Sequence, residues 1–188
     1  YAASYFPDVF IEDPANGNRN VHVPASIAAI GALAYTDSVA YPWFAPAGFN
    51  RGALGFVKNV KSRLTTNDRD VLYDARINPI ATFPGGDFVI FGQKTLQIAK
   101  SALDRVNVRR MMLELKRQVI SVADKLLFEQ NNQATRDRFT NLVSPRLSLI
   151  QAQQGIESFR VVMDDTNNTE IDKENYRLNG KIIVVPTR

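Results

Sequence analysis

One amphipathic stretch, over residues 106–128, constrains the fold of this chain more than any other feature of the sequence. Its apolar residues recur at spacings of three and four, which is the period of a helix with one apolar and one charged face. They are Val108, Met111, Met112, Leu115, Val119, Val122, Leu126 and Leu127. The pattern predicts a long helix that packs its apolar face into a core and leaves its charged face in solvent.

Four basic residues lie on the charged side of this predicted helix. Arg109 and Lys116 are seven residues apart, as are Arg110 and Arg117, so each pair nearly superposes on the helix surface. Asn107 is the predicted N-cap, which places the first two arginines where the positive end of the helix dipole disfavours cations. We therefore expect an acidic group to face them, either within the chain or on a partner.

An acidic protein is the preferred partner for this basic set, ahead of a nucleic acid. Arginine predominates, and its planar guanidinium suits bidentate contact with carboxylates. Aromatic residues that would stack on bases are not interleaved with the basic residues, because they lie on apolar faces or in the proline-rich loop over residues 41–48. The candidate interface residues are therefore Arg109, Arg110, Lys116 and Arg117.

The composition is that of a globular domain, and it excludes several kinds of chemistry. The 188 residues are 45% hydrophobic and 22% charged, with a net charge of +4, so we expect one domain over residues 1–188. The absence of cysteine excludes disulfides and thiolate sites and fits a reducing cytosol. No apolar run reaches the roughly 18 residues of a membrane span, so we expect no membrane insertion.

The motifs that would hold a cofactor or a metal are incomplete. Residues 92–95 are similar to part of a phosphate-binding loop, but Gln93 stands directly before the lysine, where that motif requires glycine. The oxygen-rich turns over residues 13–18 and 164–168 lack the spacing of a calcium loop. The single histidine, His22, has no nucleophile at a catalytic spacing. We therefore expect no enzyme activity, no cofactor and no metal site.

Strands and helices alternate along the chain, which predicts an α/β or α+β fold with a mixed sheet flanked by helices. Apolar runs bounded by turn formers predict strands over residues 5–12, 18–22, 54–60, 77–83, 87–91, 156–163 and 181–185. Helical patterns predict further helices over residues 24–35, 67–73 and 134–153. Asn67 or Asp68 is the predicted cap of the second of these helices, and Asn131-Asn132 the predicted loop and cap before the third. The strands over residues 77–83 and 87–91 are predicted to pair about a tight turn at Pro84-Gly85-Gly86. Residues 164–180 are polar and are expected to form a loop or a hairpin.

Single residues refine these expectations. Pro24 suits the first position of its helix, which is apolar on nearly all sides and is therefore predicted to be buried. Gly31, in the middle of that helix, would allow another backbone to approach closely. Pro145 should kink or restart the helix over residues 134–153, and Gly155 should end it as its C′ residue.

Several short segments occur in an order and spacing that are typical of one protein family. They are Asp13-Pro14, Val23-Pro24-Ala25-Ser26, Tyr35-Thr36-Asp37, Trp43 with Ala45-Pro46-Ala47, Ile77-Asn78-Pro79-Ile80, Gly86 to Leu96, Val106-Asn107-Val108-Arg109-Arg110, Phe128-Glu129-Gln130-Asn131 and Gly155. On these segments, which cover nearly the entire chain, the sequence resembles the C-terminal domain of contractile bacteriophage tail sheath proteins, relatives of pyocin and type VI secretion sheaths. Gln130, where the family often has proline, Pro145 and the long segment over residues 164–179 depart from the family pattern.

The resemblance implies a structural protein without an active site. Such subunits form hexameric rings that stack as a helical sheath around an inner tube, and the sheath contracts irreversibly to drive the tube through the host envelope. The implied partners are neighbouring sheath subunits, joined by terminal arms that add strands to each other's sheets, and the inner tube, baseplate and tail terminator proteins. The implied location is the virion tail, assembled in the cytoplasm of the host bacterium.

The resemblance also assigns a role to the predicted central helix. In this family the C-terminal domain lies innermost and touches the tube through a helix, and the family motif includes Arg109 and Arg110, while Lys116 and Arg117 rest on helix geometry alone. Either arginine of the motif could instead pair with an internal carboxylate. The family continues into one more strand after residues 181–185, so we expect a fragment that lacks this terminal donor strand. The start at Tyr1 and the end at Arg188 favour the same prediction.

Two other functions remain open from the sequence. A nucleic-acid-binding module would use the basic helix over residues 106–128, although no nucleic acid is expected for a sheath subunit. A nucleotide-dependent enzyme would use residues 92–95, and its incomplete motif makes it the weaker of the two.

Overall fold

The computed structural model describes residues 2–187, and the chain divides into two compact units. The first unit is Tyr1–Arg110 and the second is Met111–Arg188. The terminal residues Tyr1 and Arg188, which favoured the prediction of a fragment, lie outside the described residues. Within the described range, no helix is both long enough and apolar enough to cross a membrane.

Two small sheets form the β structure of the first unit. In one sheet, β1 (Ser4–Phe6) runs parallel to β5 (Ile77–Thr82), and β6 (Phe88–Ile90) pairs antiparallel with β5. The other sheet is antiparallel and places the second strand between its two partners, with β2 at Val9–Asp13, β3 at Arg19–Val23 and β4 at Val57–Val60. The single strand predicted over residues 5–12 is therefore two strands in different sheets. Pro7 lies between them and lacks the N–H group of a continuous ladder.

Helix α1 (Ala25–Val39) follows β3, and only one of its faces is buried. Pro24 precedes the helix as its N-cap rather than occupying its first turn. The buried face consists of small residues, which are Ala25, Ala28, Ala29, Ala32 and Thr36. The helix is apolar on nearly all sides, but the prediction that it is therefore buried was wrong for its outer side, where Ile27 and Ile30 face solvent. Gly31 accommodates the ring of Phe56 rather than the backbone that the sequence predicted.

Local sequence signals place the next elements of the first unit. Helix α2 (Thr66–Asp74) is capped by Thr65 in a capping box with Asp68, so the cap lies two or three residues before the predicted one. The predicted pairing of the strands around residues 84–86 is confirmed by the β5–β6 hairpin. Gly85 and Gly86 both have positive φ in its turn, a conformation that glycine adopts without a steric penalty.

The core of the first unit is built from small and branched apolar side chains. They come from strands, from α1 and from the segment before β4, and they are Val9, Ala25, Ala28, Ala29, Ala32, Leu54, Val57, Val60, Ile80 and Ile90. Tyr5, Ile11 and Phe88 pack against this cluster from its edge. Burial of these apolar surfaces stabilises the unit by the hydrophobic effect.

Helix α3 (Val106–Ala123) begins in the first unit and ends in the second, and a short 3-10 turn over Asp124–Leu126 follows it. The predicted helix over residues 106–128 therefore ends five residues early. Helix α4 (Gln133–Ala152) comes next and is capped by Asn132, whose side-chain oxygen accepts from Thr135 N at 2.9 Å. This cap confirms the predicted loop and cap at residues 131–132.

Helix α4 is continuous through Pro145, so the helix does not restart there as one of the two predicted alternatives had it. The buried face of the helix, with Phe139, Val143, Leu147 and Ile150, extends on both sides of the proline and holds the two halves together. The helix ends in a Schellman motif in which Gln154, with φ of 63°, takes the left-handed position predicted for Gly155. The Gly155 N–H then donates to Ile150 O at 2.9 Å.

A two-stranded antiparallel sheet completes the second unit, with β7 at Ile156–Val162 and β8 at Lys181–Pro186. The polar segment between them contains the short helix α5 (Glu170–Glu174) and is anchored by Arg136, whose buried guanidinium donates to Asp165 at 2.6 Å. The mixed α/β class is confirmed, and the strands divide among three small sheets, of which the β1–β5–β6 sheet is mixed.

Candidate interaction surface on helix α3

Helix α3 has the predicted amphipathic character, and its buried face follows the predicted spacing. Val106, Val108, Met111, Leu115 and Val122 are all buried. Met112 and Val119 are half-buried, and Leu127, beyond the end of the helix, is exposed. The buried face is therefore narrower than the sequence predicted, because Met112 and Val119 lie at its edge and are only half-buried.

Asn107 is the second residue of the helix, so the prediction that it caps the helix was wrong. Its side-chain amide nitrogen instead donates to Trp43 O at 3.2 Å. This bond ties the first turn of α3 to the proline-rich loop of the same unit. The remaining oxygen, Oδ1, is buried without a hydrogen-bond partner.

Arg109 is held by groups of the first unit. Its Nε donates to Leu103 O at 2.8 Å, and its Nη2 donates to Gln97 Oε1. A main-chain carbonyl and a side-chain amide therefore receive this guanidinium, and its side chain is only partly accessible.

Arg110 forms an ion pair with Asp37 of helix α1, through its Nη2 and the Oδ1 of the carboxylate. The Arg110 side chain is only 16% exposed, and its Nη1 is buried without a hydrogen-bond partner. The expected acidic group is thus present within the chain, as one of the two alternatives held. Sequence reasoning did not find Asp37, although it is the only acidic or basic residue of α1, because 73 residues separate it from Arg110.

Lys116 and Arg117 are the members of the predicted set that face solvent. Arg117 is 75% exposed and donates to both carboxylate oxygens of Glu114, at 2.8 and 2.6 Å. The hydrogen bond from Arg117 lowers the pKa of Glu114, and the same contact raises the pKa of Arg117. The exposed face of the helix also carries Leu113 and Ile120, so it is partly basic and partly apolar.

The four predicted interface residues therefore differ in their contacts and exposure. Arg109 and Arg110 make contacts inside the first unit, whereas Lys116 and Arg117 project from the part of α3 that belongs to the second unit. Of the four, Lys116 and Arg117 are the two exposed cations, and they are neighbours on one turn of the helix.

The other motifs take structural roles. No helix begins at Lys94, and its Nζ donates to Tyr73 O at 2.7 Å and lies 3.0 Å from the centroid of the Tyr73 ring. His22 lies on β3 with its Nε2 3.2 Å from Asp8. Among residues 2–187, no group of three or more histidine and acidic side chains is placed to hold a metal ion.

Comparison with known proteins identifies relatives that align with most of the sequence. No protein-family model matches the sequence. The tail sheath protein of Vibrio phage KVP40 is 42% identical over 161 residues, and that of Enterobacteria phage T4 is 38% identical over 161 residues. The tail sheath protein of Salmonella phage ViI is 31% identical over 147 residues. The chain is homologous to a part of the phage tail sheath proteins.

These alignments cover most of the chain but a small part of each relative. They cover 85% of this chain for the first two tail sheath proteins and 78% for the third. The chain spans about a quarter of each relative, 24%, 24% and 23% of their lengths.

Solved structures of contractile sheath assemblies share the fold of this tail sheath homologue. A chain of the anti-feeding prophage baseplate matches with a TM-score of 0.87 at 23% identity, over 99% of this chain and 51% of that one. A chain of the PVC sheath complex in its contracted state matches with a TM-score of 0.87 at 24% identity, over 100% of this chain and 52% of that one. At these identities the likeness establishes the fold.

Proposed function

We propose that this chain forms part of the structural subunit of a contractile tail sheath. The observation that carries the proposal is the identity of 31–42% to the tail sheath proteins of three phages. In the proposed function, the subunits assemble as stacked hexameric rings around an inner tube and contract to drive the tube through the host envelope. The role is mechanical, and it requires no active site.

Within that subunit, we assign residues 1–188 to the C-terminal, innermost domain and helix α3 to the tube contact. The exposure of Lys116 and Arg117 supports this assignment, because solvent-facing cations on a helix suit an acidic partner. Arg109 and Arg110 also belong to the proposed contact, and their internal hydrogen bonds favour a supporting role at the start of the helix.

The proposed partners are neighbouring sheath subunits, the tube, the baseplate and the tail terminator, in a virion assembled in the host cytoplasm. Strand exchange through terminal arms is supported by the β7–β8 sheet, whose two strands pair with each other alone among the described residues. Each strand therefore keeps one edge on which another strand can be added. Main-chain hydrogen bonds at such an edge join subunits without fixing their orientation rigidly.

Electron microscopy of the full-length polypeptide that contains this chain, alone and with its tube protein, tests the proposed function. We expect rings or tubules from the wild type, and tubules that enclose the tube when both proteins are present. The double variant Lys116→Glu with Arg117→Glu should still assemble but should enclose at least tenfold less tube, because it places acidic groups against an acidic surface. Arg63→Glu with Lys100→Glu, which reverses two other exposed cations, is the matched control and should behave as wild type.

Failure of the wild type to form any ring or tubule under these conditions would contradict the sheath function. A nucleic-acid-binding role would then require DNA or RNA affinity that falls steeply with salt concentration. The division of the basic set between internal contacts and solvent gives that role no specific support.

A further inference from the structure

The chain contains two Asn-Gly sequences, Asn16-Gly17 and Asn179-Gly180. In such a sequence the main-chain nitrogen of the glycine can attack the side-chain amide of the asparagine, because glycine has no Cβ to hinder the approach. Both asparagines and both glycines are exposed, so access of water does not distinguish the two sequences. The difference between them lies in the contacts that hold their main chains.

Asn16-Gly17 lies in the turn between β2 and β3 and is held loosely. Asn16 ends a single 3-10 turn that begins at Pro14, and among residues 2–187 no hydrogen bond joins its side chain to another group. The space that a Cβ of Gly17 would occupy is open to 4 Å. A single exposed 3-10 turn opens at little cost, and its opening lets the Gly17 nitrogen reach the Asn16 side chain.

Asn179-Gly180, at the end of the polar segment before β8, is held firmly. The Asn179 N–H donates to Asn168 Oδ1 at 2.7 Å, and the Asn179 carbonyl accepts from Nδ2 of Asn167 at 2.9 Å and from Nδ2 of Asn168 at 2.8 Å. Asn168 is only 1% exposed, and a Cβ on Gly180 would lie 3.6 Å from the Phe139 ring. The peptide group between Asn179 and Gly180 therefore cannot turn toward the side chain without breaking these bonds.

We propose that Asn16 is a site of spontaneous deamidation and that the fold protects Asn179 from the same reaction. The Gly17 nitrogen attacks Cγ of Asn16 and gives up its proton to water, while the bond from Cγ to the amide nitrogen breaks. The leaving nitrogen takes a proton from water and departs as ammonia, which leaves a succinimide ring. Water then opens the ring, and the product is aspartate if the bond to Cγ breaks or isoaspartate if the bond to the main-chain carbonyl carbon breaks.

Either product changes the turn between β2 and β3. Each adds a carboxylate, which lowers the net charge of +4 by one and places a second acid near Asp13, whose carboxylate accepts from Ala15 N at 3.0 Å. Isoaspartate also lengthens the main chain by a carbon atom after Asn16. Because β2 and β3 stay paired up to Asp13 and Arg19, the added length is taken up within the turn.

Peptide mapping by mass spectrometry of the full-length polypeptide that contains this chain tests the inference. The folded protein is incubated at mildly alkaline pH and digested with trypsin, which releases Asn16 in a peptide that ends at Arg19 and Asn179 in the peptide between Arg177 and Lys181. Fragment ions assign the modified residue in each peptide. We expect Asn16 to react at least about tenfold faster than Asn179, because reaction at Asn179 first breaks hydrogen bonds. Equal rates, or a faster reaction at Asn179, would overturn the inference.

Unfolding provides a control within the same molecule, since both sequences then lose their contacts. In concentrated urea, Asn16 and Asn179 should react at rates within about threefold of each other, because local structure protects neither of them. If the difference seen in the folded protein persisted in urea, it would come from the neighbouring residues rather than from the fold, and the inference would be wrong. An Asn16 that reacts in urea but not in the folded protein would contradict it as well.

Variants of the residues that hold Asn179 test the cause of its protection. Asn168→Ala removes two of the hydrogen bonds to Asn179 and should speed its reaction at least about tenfold while leaving Asn16 unchanged. Asn167→Ala removes one bond to Asn179, should have a smaller effect, and replaces Asn168→Ala if circular dichroism shows that variant to be unfolded. Asn175→Ala is the matched control, because the Asn175 side chain donates to Ile171 O instead. An unchanged rate at Asn179 in the folded variants would refute the protection.

The inference is independent of the proposed function. Deamidation is measured on peptides and does not require assembly, so a failure to form rings or tubules leaves it untouched. Equally, an unreactive Asn16 would refute the modification site and leave the sheath function intact.

Discussion

Helices α1 and α3 are both rich in apolar residues, yet their sequences reveal their buried faces to different degrees. In α3, charged residues such as Lys116 and Arg117 identify the solvent-exposed face. The large apolar residues on the opposite face, such as Met111, are buried as predicted. In α1, Asp37 is the only acidic or basic residue. Nothing in the pattern of α1 therefore distinguishes Ile30, which is exposed, from Ala28, which is buried.

The difference teaches that charge defines the orientation of a helix more reliably than hydrophobicity does. A charged side chain is almost never buried without a partner, whereas an apolar side chain is often left on the surface. Alanine inside and isoleucine outside is the reverse of a simple hydrophobic ranking. The small face lets α1 pack closely on its core, while the isoleucines stay on the exposed side of the helix.

Truncation of a large buried side chain of α3 should cause the largest loss of stability. Met111→Ala removes a side chain that is 1% exposed, and we expect a loss of about 2–5 kcal/mol in the free energy of unfolding from lost burial and a cavity. Urea denaturation measures the loss. Leu113→Ala, on the exposed side of the same helix, should cost no more than about 0.5 kcal/mol, and equal losses would mean that the two faces have been wrongly distinguished.

Enlargement should damage α1, where truncation has little to remove. Ala28 is fully buried, and Ala28→Leu should lower the free energy of unfolding by about 1–3 kcal/mol, because the added methyl groups overfill the core. Thermal denaturation compares it with Ala34→Leu, on the exposed side. A neutral Ala28→Leu variant would show that α1 does not pack closely on its alanine face.

Charge reversal should separate the internal arginine of α3 from its exposed cations. Arg110→Glu places two carboxylates together at Asp37, and we expect a loss of about 1.5 kcal/mol in the free energy of unfolding, since a charged hydrogen bond is lost. Lys116→Glu should leave the free energy unchanged within about 0.5 kcal/mol. Asp37→Arg should recover part of the loss when it is combined with Arg110→Glu, and the absence of any recovery would argue against the pair.

Acid titration should have the smallest effect and should concern α3 rather than α1. The pKa of Glu114 is lowered in the folded state by its hydrogen bond from Arg117, so the folded protein binds fewer protons there than the unfolded chain. The stabilisation is complete above the unfolded pKa of about 4.3 and is lost as the pH falls through the lowered value. Glu114→Gln should therefore flatten the acid side of the stability curve, measured by urea denaturation at successive pH values, by a few tenths of a kcal/mol.

Local signals predicted the elements well, and contacts between distant residues were not predicted. The β5–β6 hairpin and the cap of α4 follow from turn and capping residues, which act over a few positions. The continuity of α4 through Pro145 depends instead on a buried face, and Gln154 takes the left-handed C-terminal position although the glycine that favours this conformation is the next residue. In the candidate interface, the sequence predicted that an acid would meet the arginines of α3, but only the fold identifies Asp37.

The only tryptophan of the chain makes the two units distinguishable in solution. Trp43 is buried in the first unit and stacks on Tyr41, with ring centroids 4.9 Å apart. Its fluorescence therefore senses the packing of the part of the chain that ends at Arg110, whereas far-ultraviolet circular dichroism reports the helices of both units, α4 of the second unit among them. Superimposable melting curves from the two signals would identify one cooperative structure, and separate curves would give each unit its own midpoint.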